Sequence, residues 1–180
     1  MSGRPPPARI LAIAGSDSGG GAGIQADIKT ITVLRGHAMT AVTAITVQNT
    51  QGVSAIHPVP PDIVAGQIRA CIDDIGVDAI KIGMLGSAAV IEAVADALAE
   101  TQARRAVPIV LDPVMIAKGG AALIDDDAVW ALLQRLLPMA AIVTPNLPEL
   151  VALTQTDVTD AADMLLAAQE LLNAGPAAVL

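Results

Sequence analysis

The sequence predicts an α/β fold built on a mainly parallel central sheet with helices on both faces. Three observations carry that prediction. Short β-branched runs alternate with longer amphipathic stretches, the pattern of strand–helix–strand units. The chain is 53% hydrophobic but only 1% aromatic, so its core is aliphatic, as strands covered on both faces require. Charged residues, Gly or Pro interrupt every apolar run, which separates the elements and leaves no run near the roughly 18 residues of a membrane span.

The elements follow in order. Residues 1–8 read as a disordered segment, and Arg9–Ala14 as the first strand. Arg4 and Arg9 before Ile10–Ala14 mimic a short signal peptide, but the apolar run is too brief and polar residues follow it directly. Gly23–Leu34 reads as a helix opened by a glycine-rich turn. Met39–Val47, rich in Val, Ile and Thr, reads as a strand that ends in a polar turn. Pro60, Pro61 and Asp62 start a helix reaching about Asp74, with Pro in the first turn. Asp78–Ile82 is a strand, and Ser87–Thr101 a helix with apolar residues on a 3.6-residue period. Pro108–Leu111 is a strand, and Met115–Ile124 a Gly-bearing loop. Asp125, Asp126 and Asp127 put negative charge at the start of a helix to about Leu137, which suits the helix dipole. Ala141–Thr144 is a strand, Asn146–Leu153 and Asp160–Asn173 are helices, and Ala177–Leu180 begins another strand. An apolar strand with no polar tail predicts that this is the beginning of a longer chain, with the sheet incomplete at its C-terminal end.

Composition narrows the function classes. A length of 180 residues suits one domain. Net charge is −8, which disfavours a polyanion partner such as DNA. There is no Phe or Tyr and a single Trp, so a base-stacking platform is not predicted. The mean hydropathy of +0.60 reflects the aliphatic core. With Cys71 as the lone cysteine no internal disulfide forms, and a cytoplasmic protein with a small-molecule ligand is expected. Cys71 and Trp130 sit in apolar helical contexts and read as core; His37 and His57 are isolated, with no partner at metal-ligand spacing.

In an open parallel sheet, ligand groups gather at the C-terminal ends of strands, and the polar residues collect there. Gly15–Gly23 holds five glycines in nine residues. It reads either as a plain tight turn or as a backbone cradle at a helix N-terminus. It lacks the Gly-Lys-Ser/Thr ending of a P-loop. It fits the dinucleotide fingerprint weakly, because no acid lies between Asp27 and Asp62. Asp27 lies on the second turn of the following helix, as a solvated acid or a ligand group. Gln48, Asn49, Thr50 and Gln51 are turn residues, or amides that read a heterocycle edge. Lys81 ends a strand as a solvated or snorkelling cation, and Met84 is core or pocket wall. Asp112 caps a turn or holds Mg²⁺ through water. Lys118 is an exposed loop charge or a phosphate ligand. Asn146 and Glu149, three residues apart, form a helix-capping pair or face one ligand together.

Five segments in sequence resemble one family: Ala14–Asp27, Thr43–Thr50, Lys81–Leu85, Leu111–Met115 and Thr144–Leu150. They are similar to the signatures of the hydroxymethylpyrimidine/phosphomethylpyrimidine kinases of thiamine biosynthesis, enzymes of the ribokinase-like fold. The resemblance covers residues 9–180, as the N-terminal two-thirds of one kinase domain. It implies phosphorylation of 4-amino-5-hydroxymethyl-2-methylpyrimidine, then of its monophosphate, with MgATP as donor and a homodimer when full length. It also implies that Gln48 bonds the aminopyrimidine edge, Asp27 contacts polar substrate groups, and Thr46, Met84 and Gly15 line the ring. Asn146 and Glu149 match the Asn-x-x-Glu motif that organises Mg²⁺ and phosphates. Asp112 would lie near the phosphate path and Lys118 on a closing flap. The family's later Gly-Thr-Gly-Cys anion-hole loop does not occur within the 180 residues, so no catalytic residue is expected here and the isolated chain is expected to be inactive. A pyridoxal-kinase-like activity and a non-catalytic pyrimidine-binding protein are the competing expectations.

Overall fold

The computed structural model describes residues 6–115 and 125–180. A seven-stranded sheet organises them, in the order β3-β2-β1-β4-β5-β6-β7. The strands are β1 (Arg9–Asp17), β2 (His37–Gln48), β3 (Val53–Pro58), β4 (Ala79–Ile82), β5 (Ile109–Leu111), β6 (Ile142–Val143) and β7 (Ala178–Val179). The helices are α1 (Gly23–Val33), α2 (Pro61–Ala70), α3 (Ala88–Arg104), α4 (Asp126–Ala131), α5 (Leu147–Thr154) and α6 (Ala161–Asn173). All neighbouring strands pair in parallel except β2 and β3. The mainly parallel sheet expected from the sequence is therefore present.

Right-handed crossovers fix where the helices go. The chain steps outward from β1 through α1 to β2, then returns across β1 and steps the other way from β4 to β7. Steps in opposite directions put α1 on one face and α2, α3 and α4 on the other; α2 packs on α3, and α3 on α4. The step changes direction at β1 and β4, the switch point where open α/β sheets leave a crevice at their strand ends. The core is aliphatic as predicted: Leu11, Ile13, Ile68, Ile80, Ile82, Ile91, Leu98, Ile109 and Leu111 are fully buried.

Three readings change. Residues after Gln48 form more than a turn, because Val53–Pro58 folds back as the antiparallel β3. Five of its six residues are exposed, so the period-2 burial signal that reveals a strand is missing. Trp130 is 63% exposed on α4, not core, since α4 turns Ala128 and Ala131 inward instead. Cys71 is half-buried against the core rather than inside it. The helix ends follow the caps: the Ser87 hydroxyl accepts from the Val90 amide and the Asp125 carboxylate from the Ala128 amide. Both α2 and α4 continue into a wider π-type turn, Cys71–Ile75 and Leu132–Leu136. Among the described residues, no helix is long and apolar enough to cross a membrane.

Candidate functional site

A cavity of about 470 Å³ opens at the switch point, within the roughly 300–1,000 Å³ typical of small-molecule sites. The C-terminal ends of four parallel strands build it. β1 gives Ala14–Asp17, β2 gives Thr46 and Gln48, β4 leads to Lys81 and Met84, and β5 leads to Asp112 and Val114. The glycine loop and the first turns of α1, with Asp27, close one side.

The glycine loop is organised by Asp17. This carboxylate is 6% exposed and accepts from the backbone amides of Gly19 at 2.8 Å, Gly21 at 2.9 Å and Ala22 at 2.8 Å. Burial pushes its pKa up, but the amides outweigh burial and hold it below the ordinary carboxylate value. The amides that could have cradled an external anion are therefore given to an internal one. Ser18 stitches the loop to β2: its hydroxyl donates to the Gln48 carbonyl and accepts from the Gln48 amide. Gln25 of α1 accepts from the Asp17 amide and donates to the Ser16 hydroxyl. At Gly23, with φ of +54°, an added Cβ would lie 2.2 Å from the Gly15 carbonyl oxygen. No side chain fits between this helix start and the strand end.

The walls are mostly apolar. A Cβ on Gly15 would sit 2.5 Å from the Met84 terminal methyl, so the missing side chain admits Met84 to the wall. The Thr43 hydroxyl donates to the Met84 carbonyl at 2.7 Å and fixes the backbone there. Thr46 is buried, and its hydroxyl donates to the Ser16 carbonyl at 2.9 Å. Among the described residues, the Gln48 carboxamide has only a longer, 3.3 Å contact with Thr46, which leaves most of its donor and acceptor capacity for a ligand.

Charge is concentrated on one side. Lys81 Nζ lies 3.5 Å from Asp27 Oδ1 and 3.3 Å from Asp112 Oδ2. Asp27 Oδ2 is buried and has no hydrogen-bond partner among the described residues. Burial raises the pKa of Asp27; Lys81 opposes this and Asp112 adds to it. Both acids therefore face Lys81, Asp27 from a largely buried position and Asp112 from one that also reaches solvent.

Gly15, Asp27, Thr46, Gln48, Met84 and Asp112 thus line one cavity. Asn146 and Glu149 lie at the same end of the sheet, after β6, but do not line it. They form a reciprocal capping box: the Asn146 side chain accepts from the Glu149 amide at 3.0 Å, and the Glu149 carboxylate accepts from the Asn146 amide at 2.9 Å. The capping reading of this pair is seen, and a cap does not bar the same side chains from facing a ligand. Lys118 lies outside the described residues. Among the described residues no group of three His, Cys, Asp or Glu side chains comes together as a metal cage. Asp112 lines the cavity and Glu149 sits in the cap after β6; each is a hard oxygen donor of the kind taken by an ion that keeps its waters.

Two organising residues had no assigned role in the sequence reading. Asp17 was legible as an acid two and four residues before glycine amides, the spacing of a side chain that closes a turn. Lys81 was legible as a cation in a central strand between buried Ile80 and Ile82, where a charge needs partners.

Residues 17–180 match the family model described as phosphomethylpyrimidine kinase. The chain belongs to this family. It is 49% identical to the hydroxymethylpyrimidine/phosphomethylpyrimidine kinase of Mycobacterium leprae over 94% of its own length and 60% of that protein's. A crystal structure of phosphomethylpyrimidine kinase from Clostridium difficile superposes with a TM-score of 0.88 at 40% identity, covering 96% of this chain and 76% of that one. An ADP complex of Bacillus subtilis pyridoxal kinase superposes with a TM-score of 0.82 at 36% identity, covering 94% of this chain and 62% of that one. The chain spans about 60% of the length of the phosphomethylpyrimidine kinase relatives it matches. These likenesses bear out the ribokinase-like kinase fold expected from the motifs.

Proposed function

We propose that the full-length protein uses MgATP to phosphorylate the hydroxymethyl group of 4-amino-5-hydroxymethyl-2-methylpyrimidine, and then the resulting monophosphate. Residues 9–180 are then the N-terminal two-thirds of one kinase domain, which supplies the pyrimidine half of the site. The observation that carries this reading is the single cavity uniting Gly15, Asp27, Thr46, Gln48, Met84 and Asp112 in a chain of this family.

Phosphoryl transfer asks mainly for positioning and charge neutralisation. The Gln48 carboxamide can both donate and accept, as an aminopyrimidine edge requires. Asp27 accepts from a polar substrate donor. Met84 and the bare Gly15 backbone pack the ring, and Thr46 borders it. Bound MgATP supplies the phosphoryl group. Asp112, at the end of β5, faces the phosphate path, with Asn146 and Glu149 holding the metal through water or phosphate and Lys118 closing over the site. The anion-hole loop belongs to the remaining part of the full-length chain. A homodimer in the cytoplasm, with neither nucleic acid nor membrane as partner, completes the reading.

Pyridoxal is a second substrate reading, favoured by the likeness to the Bacillus subtilis pyridoxal kinase. The test is ADP release by the full-length protein offered either ring compound with MgATP. Turnover of the pyrimidine with little on pyridoxal supports the proposal. Turnover confined to pyridoxal reverses the substrate assignment.

A further inference from the structure

Lys81 is, among the described residues, the sole cation lining the cavity. It occupies a central strand, and its side chain leaves β4 between two buried isoleucines. Its ammonium meets an acid from α1 and an acid from the end of β5. Space for it is made by Gly83, where a Cβ would sit 2.9 Å from Lys81 Nζ and 3.2 Å from the Ala14 Cβ. The strand, the helix and a side-chain-free position thus all converge on one ammonium.

The two oxygens of Asp27 are treated differently. Oδ1 faces Lys81 at 3.5 Å, while Oδ2 is buried and unpartnered among the described residues. A buried carboxylate oxygen without a donor is costly, and a ligand donor removes that cost. Asp112 takes the other side of the ammonium, so Lys81 cannot turn to a phosphate without releasing an acid.

We propose that Lys81 is a positioning residue for substrate recognition: it holds Asp27 by Oδ1 so that Oδ2 is offered to a hydrogen-bond donor on the pyrimidine. The inference rests on the pyrimidine reading and adds to it a residue that does not touch the substrate. Removing Lys81 leaves Asp27 and Asp112 without their shared counter-ion. Asp27 then loses its fixed orientation, its charge, or both.

The experiment uses the full-length protein and 4-amino-5-hydroxymethyl-2-methylpyrimidine as the probe. Equilibrium binding and steady-state phosphorylation are measured for wild type, Lys81→Met, Lys81→Arg, Gly83→Ala, Asp27→Asn and the Lys81→Met/Asp27→Asn double variant. Lys81→Met should weaken binding and raise KM by roughly 10- to 100-fold, the range of one hydrogen bond to a charged group. Its kcat should change much less. Lys81→Arg should recover part of the loss, and Gly83→Ala, which displaces the ammonium without removing it, should reproduce part of it. The double variant should bind no more weakly than Asp27→Asn alone, because Lys81 acts through that carboxylate. Unchanged KM in Lys81→Met, a loss confined to kcat, or multiplying effects in the double variant would each overturn the proposal while the pyrimidine reading stands. A wild type that binds no pyrimidine overturns both.

Discussion

Replacing Asp17 by Asn keeps the side chain's shape and removes its charge, so it isolates what the carboxylate does for the glycine loop. In the wild type, one oxygen accepts from Gly19 and the other from both Gly21 and Ala22. An amide can keep only one of these acceptors. If its oxygen faces Gly21 and Ala22, its NH₂ group faces the Gly19 amide, which loses a bond to a charged acceptor at about 1.5–3 kcal/mol. The two surviving bonds drop from charged to neutral, about 1 kcal/mol each. The total is about 3.5–5 kcal/mol, or roughly 7–20 °C in melting temperature for a chain of this size. The assay is thermal unfolding of the full-length protein and its Asp17→Asn variant across pH. Asp17 titrates below its ordinary value of 3.8 when folded, so the unfolded chain takes up the proton first as pH falls. The stability it contributes is complete above the ordinary value and disappears as pH drops through the folded value. The gap between the two proteins should therefore be constant near neutrality and shrink below about pH 4. A variant that melts with the wild type at pH 7, or a gap that widens in acid, refutes the view that this carboxylate holds the loop.

Four more outcomes are expected. Gly23→Ala should abolish both stability and pyrimidine binding, because the added Cβ meets backbone at 2.2 Å. Gly66→Ala in α2, with nothing within 4 Å of its Cβ, should stabilise by up to about 1 kcal/mol; denaturant titration of both checks the contrast. Gln48→Ala should raise KM for the pyrimidine by roughly 10-fold or more and leave the melting temperature nearly unchanged, since its carboxamide carries little of the fold. Asp27→Asn should trade binding for stability. Burial raises the folded pKa of Asp27, so wild-type stability falls as pH rises from the ordinary carboxylate value through that raised value. The variant should lack this fall and melt at or above the wild type at pH 7 while binding pyrimidine more weakly; a variant less stable at pH 7 contradicts the reading.

What was legible in the sequence was what periodicity and strand ends control. Leu11, Ile13, Ile80, Ile82, Ile109 and Leu111 announce buried strands, and the polar residues just beyond those strands end in one cavity because parallel strands point their C-terminal ends the same way. What was not legible depended on partners far away in sequence. β3 shows no alternation, because one edge strand lies almost wholly in solvent. Trp130 looked like core because its helix is apolar, yet the inward positions belong to the small Ala128 and Ala131. The Asn146–Glu149 spacing fits a cap and a ligand pair alike, and only geometry shows that the cap forms. Lys81 carried no role until Asp27 and Asp112, 54 positions before it and 31 after it (27, 81 and 112 in the chain), were seen on either side of its ammonium.

The most direct test of the central claim is a crystal structure of the full-length protein with 4-amino-5-hydroxymethyl-2-methylpyrimidine bound. The ring should lie in the β1–β4 switch-point cavity against Met84 and Gly15, with the Gln48 carboxamide and Asp27 Oδ2 within hydrogen-bonding distance. A ring bound elsewhere, or bound there with neither Gln48 nor Asp27 in contact, would contradict the account.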